Sequence, residues 1–276
     1  MNKQAMWAIA KKDMAAIRTN VQVWLPMIIV PLLLGVFLPS LFTGLLAFAG
    51  IGGSDLQELI TWKDRLPLGA LGPVLDAMPT LNHQIAFLFT NYMLAPFFVL
   101  IPLMTASVIS ADSFAGEKER GTLETLLFTP VDLRSLFAGK LLASFIPSVG
   151  MTLGTFALCT ISVNAFGWRL FGRIFFPQWN WLPMMLLVIP TIAIAAILVN
   201  VFISAKVATF QAAYQLGALM VLPFILLFVG QISGALMLGT VSLLIIAAVL
   251  AVVDIVLLQL LMKKLNRSSL FESQVR

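Results

Sequence analysis

The chain has almost none of the side chains on which most enzymes rely. One cysteine, Cys159, and one histidine, His83, occur among 276 residues. A lone cysteine excludes a disulfide framework within the chain and any cysteine-based metal site. A lone histidine excludes a multi-histidine site. Charge is scarce as well: 11% of residues are Asp, Glu, Lys or Arg, against about 25% in average soluble proteins. There is no phosphate-cradling loop. Gly139-Lys140 is followed by leucine, and Arg134 stands where the first glycine of such a loop belongs. ATP binding by the chain itself is therefore not expected. Gly-x-Ser-x-Gly and His-Glu-x-x-His arrangements are missing too, so no catalytic site, cofactor site or metal site is expected.

Apolar residues fill the space these absences leave. They make up 60% of the sequence, and the mean hydropathy is +1.01. Such a composition cannot cover a soluble surface, and the expected fold is an all-α integral membrane protein. Six apolar segments each reach the ~20 residues that a bilayer helix needs. They lie near 23–49, 85–110, 136–166, 181–204, 212–234 and 238–262. The first is too long for the apolar core of a signal peptide and reads as a retained span. The third is over-long and is expected to include a lead-in from the membrane surface. One six-span domain, 1–276, follows. It has a surface helix (1–22), an outer loop (50–84), a loop between the second and third spans (111–135) and a tail (263–276).

Orientation follows from the basic residues. Six spans place both ends of the chain on one side. That side receives thirteen of the 17 basic residues, and the other receives Lys63, Arg65, Arg169 and Arg173. The excess predicts cytoplasmic termini and a cytoplasmic 111–135 loop. It also accounts for the net charge of +5 without nucleic acid. From Gln4 to Asn20 the apolar side chains Met6, Ala10, Met14 and Ile17 fall on one helical arc, which predicts an amphipathic helix on the membrane surface. Turn signals at Gly52-Gly53-Ser54, Gly72-Pro73 and Met78-Pro79 predict a small cap of short helices in the outer loop. Nine prolines within the spans suit kinked helices. Gly150-x-x-x-Gly154 and Gly230-x-x-x-Gly234 read as close-packing features.

The densest charge lies in the loop after the second span, at Glu117-Lys118-Glu119-Arg120-Gly121-Thr122-Leu123-Glu124. On a helix, Glu117 and Arg120 are three apart and Arg120 and Glu124 four apart, so both pairs can share a face. Leu123, Leu126 and Leu127 form an apolar ridge beside it. Thr129-Pro130-Val131-Asp132 then reads as a helix start, with threonine as N-cap, proline at the first position and an acid at the third.

This segment, with Thr125-Leu126-Leu127, Thr129-Pro130 and Gly139-Lys140, resembles the hallmark cytoplasmic segment of type-2 ATP-binding cassette (ABC) permeases. These include the sodium-exporter-like and multidrug or peptide-export permeases of bacteria. The resemblance implies a coupling helix that docks into a separate ABC ATPase subunit, with Glu117 to Glu124 at or near the contact. It implies two ATPase copies that carry ATP and magnesium, a second permease copy or a homologous permease, and a place in the bacterial cell membrane. The chain departs from some relatives in one respect: only 231–240 is available for re-entrant helices between the last two spans.

Asp254 is the one acid deep in a span. It precedes Lys263 by nine residues, roughly 13 Å of helix in a core about 30 Å thick. Intramembrane acids are functional candidates, and Asp254 is expected to face the bundle interior on a possible substrate path. It also supports an alternative, an ion-coupled secondary transporter. A membrane scaffold without transport is a third reading. The cargo class (ion, drug, peptide or lipid) is not legible.

Overall fold

The computed structural model describes residues 2–49, 60–63, 65–66, 68, 71–122, 132–233, 235 and 238–264. Among these, no strand occurs. Helix α1 (Lys3–Thr19) precedes the spans, and its N-cap Asn2 accepts from the amides of Gln4 and Ala5. Six helices are long and apolar enough to cross a membrane: α2 (Val23–Phe48), α4 (Leu81–Glu119), α5 (Leu133–Phe171), α6 (Trp181–Ser204), α7 (Phe210–Ile232) and α8 (Thr240–Lys263). The protein is an all-α, multi-pass integral membrane protein. Between α2 and α4 the short α3 (Gly72–Asp76) joins Trp62, Leu66 and Leu75 in packing on the main core. Trp62 also donates to the carbonyl of Ile232 at 2.7 Å. Short helical turns thus occur among the described residues of the 50–84 loop.

Helix α4 is the axis of the bundle. In its most apolar stretch 83% of residues are buried by the rest of the chain, against 11% in α7. A dry aromatic cluster fixes α4, α5 and α6 together. The Trp181 ring stacks on Phe156 at 5.1 Å and meets Phe98 and Phe176 edge-on, each at 5.2 Å. Such pairs each contribute about 0.5–1.5 kcal/mol beyond their buried area. The α5–α6 connection is held by asparagines. Asn164 Oδ1 accepts from the amides of Phe175 and Phe176. Asn91 Oδ1 accepts from Gln178 N, and Asn180 donates to the Asn91 carbonyl at 2.6 Å.

The prolines have a definite structural effect. Wide π-type turns occur at Leu32–Phe37, Phe89–Met93 and Met184–Val188. Each lies just before a proline: Pro39, Pro96 or Pro190. Proline lacks an N–H, and its ring crowds the carbonyl four residues back. Those carbonyls belong to Gly35, Tyr92 and Leu186, all inside the wide turns. The extra width takes them out of the ring's way.

Several expectations need correction. The helix of the second span does not stop near residue 110 but continues to Glu119, so the start of the charged loop is helix. The helix that contains the third span begins at Leu133. Asp132 is its N-cap, in extended conformation, and accepts from the Ser135 amide. The helix start read at Thr129-Pro130 lies outside the described residues, as do all of 123–131. The buried arc of α1 is Ile9, Ala10, Asp13 and Ile17, so Asp13 lies where Met14 was expected. Gly150 and Gly154 have open space where a Cβ would be. They make no close helix crossing among the described residues. The tight contacts fall instead at Gly35, Gly139, Gly167 and Gly217.

Candidate functional site

The end of α4 is bound by a buried ion cluster. Lys140, on α5, is 1% exposed. Its Nζ lies 2.6 Å from Glu117 Oε2 and 3.3 Å from Asp13 Oδ2. It also donates to the Ser113 carbonyl at 2.7 Å. The other Glu117 oxygen, Oε1, takes Lys12 Nζ at 2.7 Å. Lys12 in turn lies 3.4 Å from Asp13 Oδ1. Ser113 Oγ donates to Asp13 Oδ2 at 2.7 Å. Two lysines and two carboxylates balance, and the deepest of them, Lys140, finds oxygen acceptors on two other helices. Balance of this kind is what lets charges remain buried. Desolvation lowers the Lys12 pKa, but the hydrogen bond and charge of Glu117, with Asp13, outweigh it and raise Lys12 above its ordinary value of 10.5.

Local sequence explains how the cluster assembles. A Cβ on Gly139 would meet the Met6 carbonyl oxygen at 2.8 Å and Ile9 Cβ at 3.0 Å. Glycine therefore lets α1 lie directly on α5, which brings Asp13 to Lys140. The wide turn at Asp112–Gly116 has no proline after it, unlike the other three. There Lys140 sets its ammonium against the Ser113 carbonyl, the kind of side-chain insertion that opens a helical ladder.

Past this base, α4 reaches two more elements. Arg120 Nη1 pairs with Asp112 Oδ1 at 3.0 Å, and Asn20 also donates to that oxygen, at 3.4 Å. Lys118 Nζ donates to the Val207 carbonyl at 3.2 Å. Glu119 Oε2 accepts from the Phe210 amide at 2.8 Å. Phe210 is the first residue of α7, so this carboxylate sits at a helix N-terminus, where negative charge is favoured. Gly121 takes φ +69° just beyond the last helical turn, the usual way to end a helix. A cavity of about 360 Å³ opens between α1 and the end of α4, with Lys12, Asp13, Asn20, Asp112, Arg120 and Thr122 on its walls.

The candidate docking residues thus separate. Glu117 is buried, whereas Lys118, Glu119, Arg120, Gly121 and Thr122 are exposed or half-buried. Glu117 does not share a face with Arg120 as a pair: its partners are Lys140 and Lys12, and Arg120 binds Asp112. Leu123, Glu124, Leu126 and Leu127 lie outside the described residues. Sequence reasoning missed Asp13, Lys12, Ser113 and Asp112 as members of the site. Lys140 stood only as part of the Gly139-Lys140 pair. The available signal was Asp13 itself, an acid on the apolar arc of α1.

The family model for ABC-2 family transporter proteins matches residues 7–266, nearly the whole chain. The chain belongs to this family. It is the membrane permease of an ABC transporter, and membership implies an ABC ATPase as partner. No curated protein and no solved structure matches the chain. In this permease the matched region includes most of α1, the ion cluster and all six spans.

Asp254 of the permease lies on α8 in the stripe Leu243, Ala247, Leu250, Asp254, Leu257 and Leu261, whose apolar members pack on the main core. It is 7% exposed, and neither carboxylate oxygen has a hydrogen-bond partner. It faces the interior of the chain, as expected. Among the described residues, no hydroxyl or amide on a neighbouring helix receives it.

Proposed function

We propose that this permease is the membrane subunit of an ABC exporter, driven by a separate nucleotide-binding subunit that docks on the segment after α4. One observation supports the reading most. The end of α4 is fastened to α1 and α5 through Glu117, and to the start of α7 through Glu119. A push on the segment after α4 is then felt by four helices at once. Coupling by rigid-body displacement needs such a connection. In this reading Glu117 is the buried anchor of the lever. Lys118, Glu119, Arg120, Gly121, Thr122, Leu123 and Glu124 lie at or beside the ATPase contact. The termini are cytoplasmic, as the basic-residue excess favours. Two permease copies frame the path and two ATPase copies clamp it, with ATP and magnesium held on the ATPase.

The test is ATPase activity and transport in proteoliposomes with the partner ATPase. Arg120→Glu is expected to insert and fold normally but to lose most substrate-stimulated ATPase activity and transport. Full ATPase binding and stimulation with Arg120→Glu would exclude docking on this segment.

Asp254 favours a second role within the same permease. A buried carboxyl with both oxygens unpartnered is a candidate contact on the cargo path. Unchanged transport in a correctly assembled Asp254→Asn permease would remove it from that path. Membership of the ABC-2 family weighs against the alternative of an ion-coupled secondary transporter built on Asp254.

A further inference from the structure

The surface between α2 and α5 carries a groove of about 670 Å³. One wall is a continuous ridge of α2, from Leu32 through Phe37, Leu41 and Leu45 to Phe48. The other wall is Phe166 of α5. The floor is quiet: Ser40 Oγ donates to Ser162 Oγ at 2.8 Å, and so both hydroxyls are engaged. Gly44 gives the groove its depth, because a Cβ there would meet the Phe166 ring at 3.3 Å. From Leu32 to Phe48 the ridge runs roughly 24 Å along the helix, which exceeds the roughly 15 Å of hydrocarbon in one leaflet, so it is long enough to hold an acyl chain.

A cation stands at the end of this groove. Arg169 follows Ser162 and Phe166 on the same stripe of α5, at helical spacing. Its guanidinium lies 5.1 Å from the centre of the Phe48 ring. Arg169 is exposed and has no carboxylate partner among the described residues. Trp168 and Trp179, at 56% and 84% exposed, lie at the same end of the bundle. Exposed tryptophans mark the headgroup level of a bilayer. An unpaired guanidinium at headgroup depth, above a long apolar trough, is complementary to a phosphate above an acyl chain.

We infer that this groove holds one anionic phospholipid of the surrounding bilayer, with an acyl chain laid along α2 and its phosphate on Arg169. The site is on the face opposite the ion cluster and does not depend on the coupling proposal. Phe48 keeps the guanidinium over the trough by a cation–π contact, and the planar fork of Arg169 takes phosphate oxygens in pairs.

The test uses the full-length permease in nanodiscs made from equal phosphatidylglycerol and phosphatidylcholine, released and weighed by native mass spectrometry. The wild type is expected to retain phosphatidylglycerol in preference to phosphatidylcholine. Arg169→Gln is expected to lower that preference by about tenfold, and Arg169→Lys to keep part of it. Leu41→Trp fills the trough and is expected to displace lipid while leaving Arg169 in place. Thermal unfolding of each variant confirms that it is folded. Unchanged preference in either Arg169→Gln or Leu41→Trp overturns the site. A second copy of the chain is the other candidate occupant. Leu41→Cys in a Cys159→Ser background reports on it: efficient cross-linking between copies in native membranes would show a subunit interface there and overturn the lipid site.

Discussion

Glu117 and Lys140 form the shortest ion pair of the cluster, 2.6 Å apart, and both are buried. Removing Lys140 leaves two carboxylates, Glu117 and Asp13, to share Lys12. Lys140→Met is expected to destabilise the permease by about 3–5 kcal/mol, the usual cost of an uncompensated buried charge. Adding Glu117→Gln should restore part of the loss, because Lys12 then faces one carboxylate, Asp13. Thermal unfolding in detergent reads both. Equal stability of the single and double variants would mean that the pair does not couple.

Gly139 sets how closely α1 approaches α5. Gly139→Val adds atoms where the Met6 carbonyl and Ile9 already lie. Overpacking of this kind costs about 1–3 kcal/mol, and here it should also lift α1. Cleavage by an added protease near Asn20 should become faster while the six spans stay protected. A protection pattern like the wild type's would argue against α1 being held through this contact.

Lys12 provides a pH test. Its folded pKa is raised above 10.5, so its contribution is fully present below the unfolded pKa and disappears as pH rises through the higher folded value. The melting temperature is expected to fall as pH rises above 10.5, with a smaller fall in Lys12→Gln. Lys12 is half-exposed, so solvent screening keeps the effect modest. Identical pH profiles for the two proteins would contradict the assignment.

Asp254 separates stability from transport. An unpartnered buried polar group destabilises a fold, and an apolar replacement of similar size is neutral or stabilising. Asp254→Leu is therefore expected to keep or raise the melting temperature. If the carboxyl meets cargo, transport falls at the same time. A sharp loss of stability in Asp254→Leu would reveal a hidden structural partner.

Trp181 joins three helices through one ring. Trp181→Ala is expected to cost about 3–5 kcal/mol. Trp181→Phe should recover part of this, since the ring contacts to Phe156 and Phe98 persist in reduced form. Thermal unfolding of the two variants decides it.

The spans were legible because apolar length is a one-dimensional property. Trp181–Ser204 has the expected boundaries, and α2 agrees to within a residue. The long extension of α4 was not legible. Asp112, Glu117 and Glu119 look like loop residues by polarity, yet groups distant in sequence meet the end of this helix, above all the lysines on Glu117. That information lies more than 20 residues away, at Lys140, and about 100 away, at Lys12 and Asp13. The wide turns were legible in part, since prolines signalled kinks. The one at Asp112–Gly116 was not, because its cause is a lysine on another helix. The orphaned state of Asp254 could be suspected from depth alone, but its place in a leucine stripe required the fold.

The burial of α4 divides the work of the molecule. A helix wrapped on nearly every side by its own chain has almost no outer surface to offer to cargo. Any passage between two copies must then be walled mainly by the outward faces of other helices, whose exposed residues are almost entirely hydrocarbon. Selectivity in this permease should accordingly tolerate change along α4 poorly for mechanical reasons, while cargo preference shifts with substitutions on the surrounding helices.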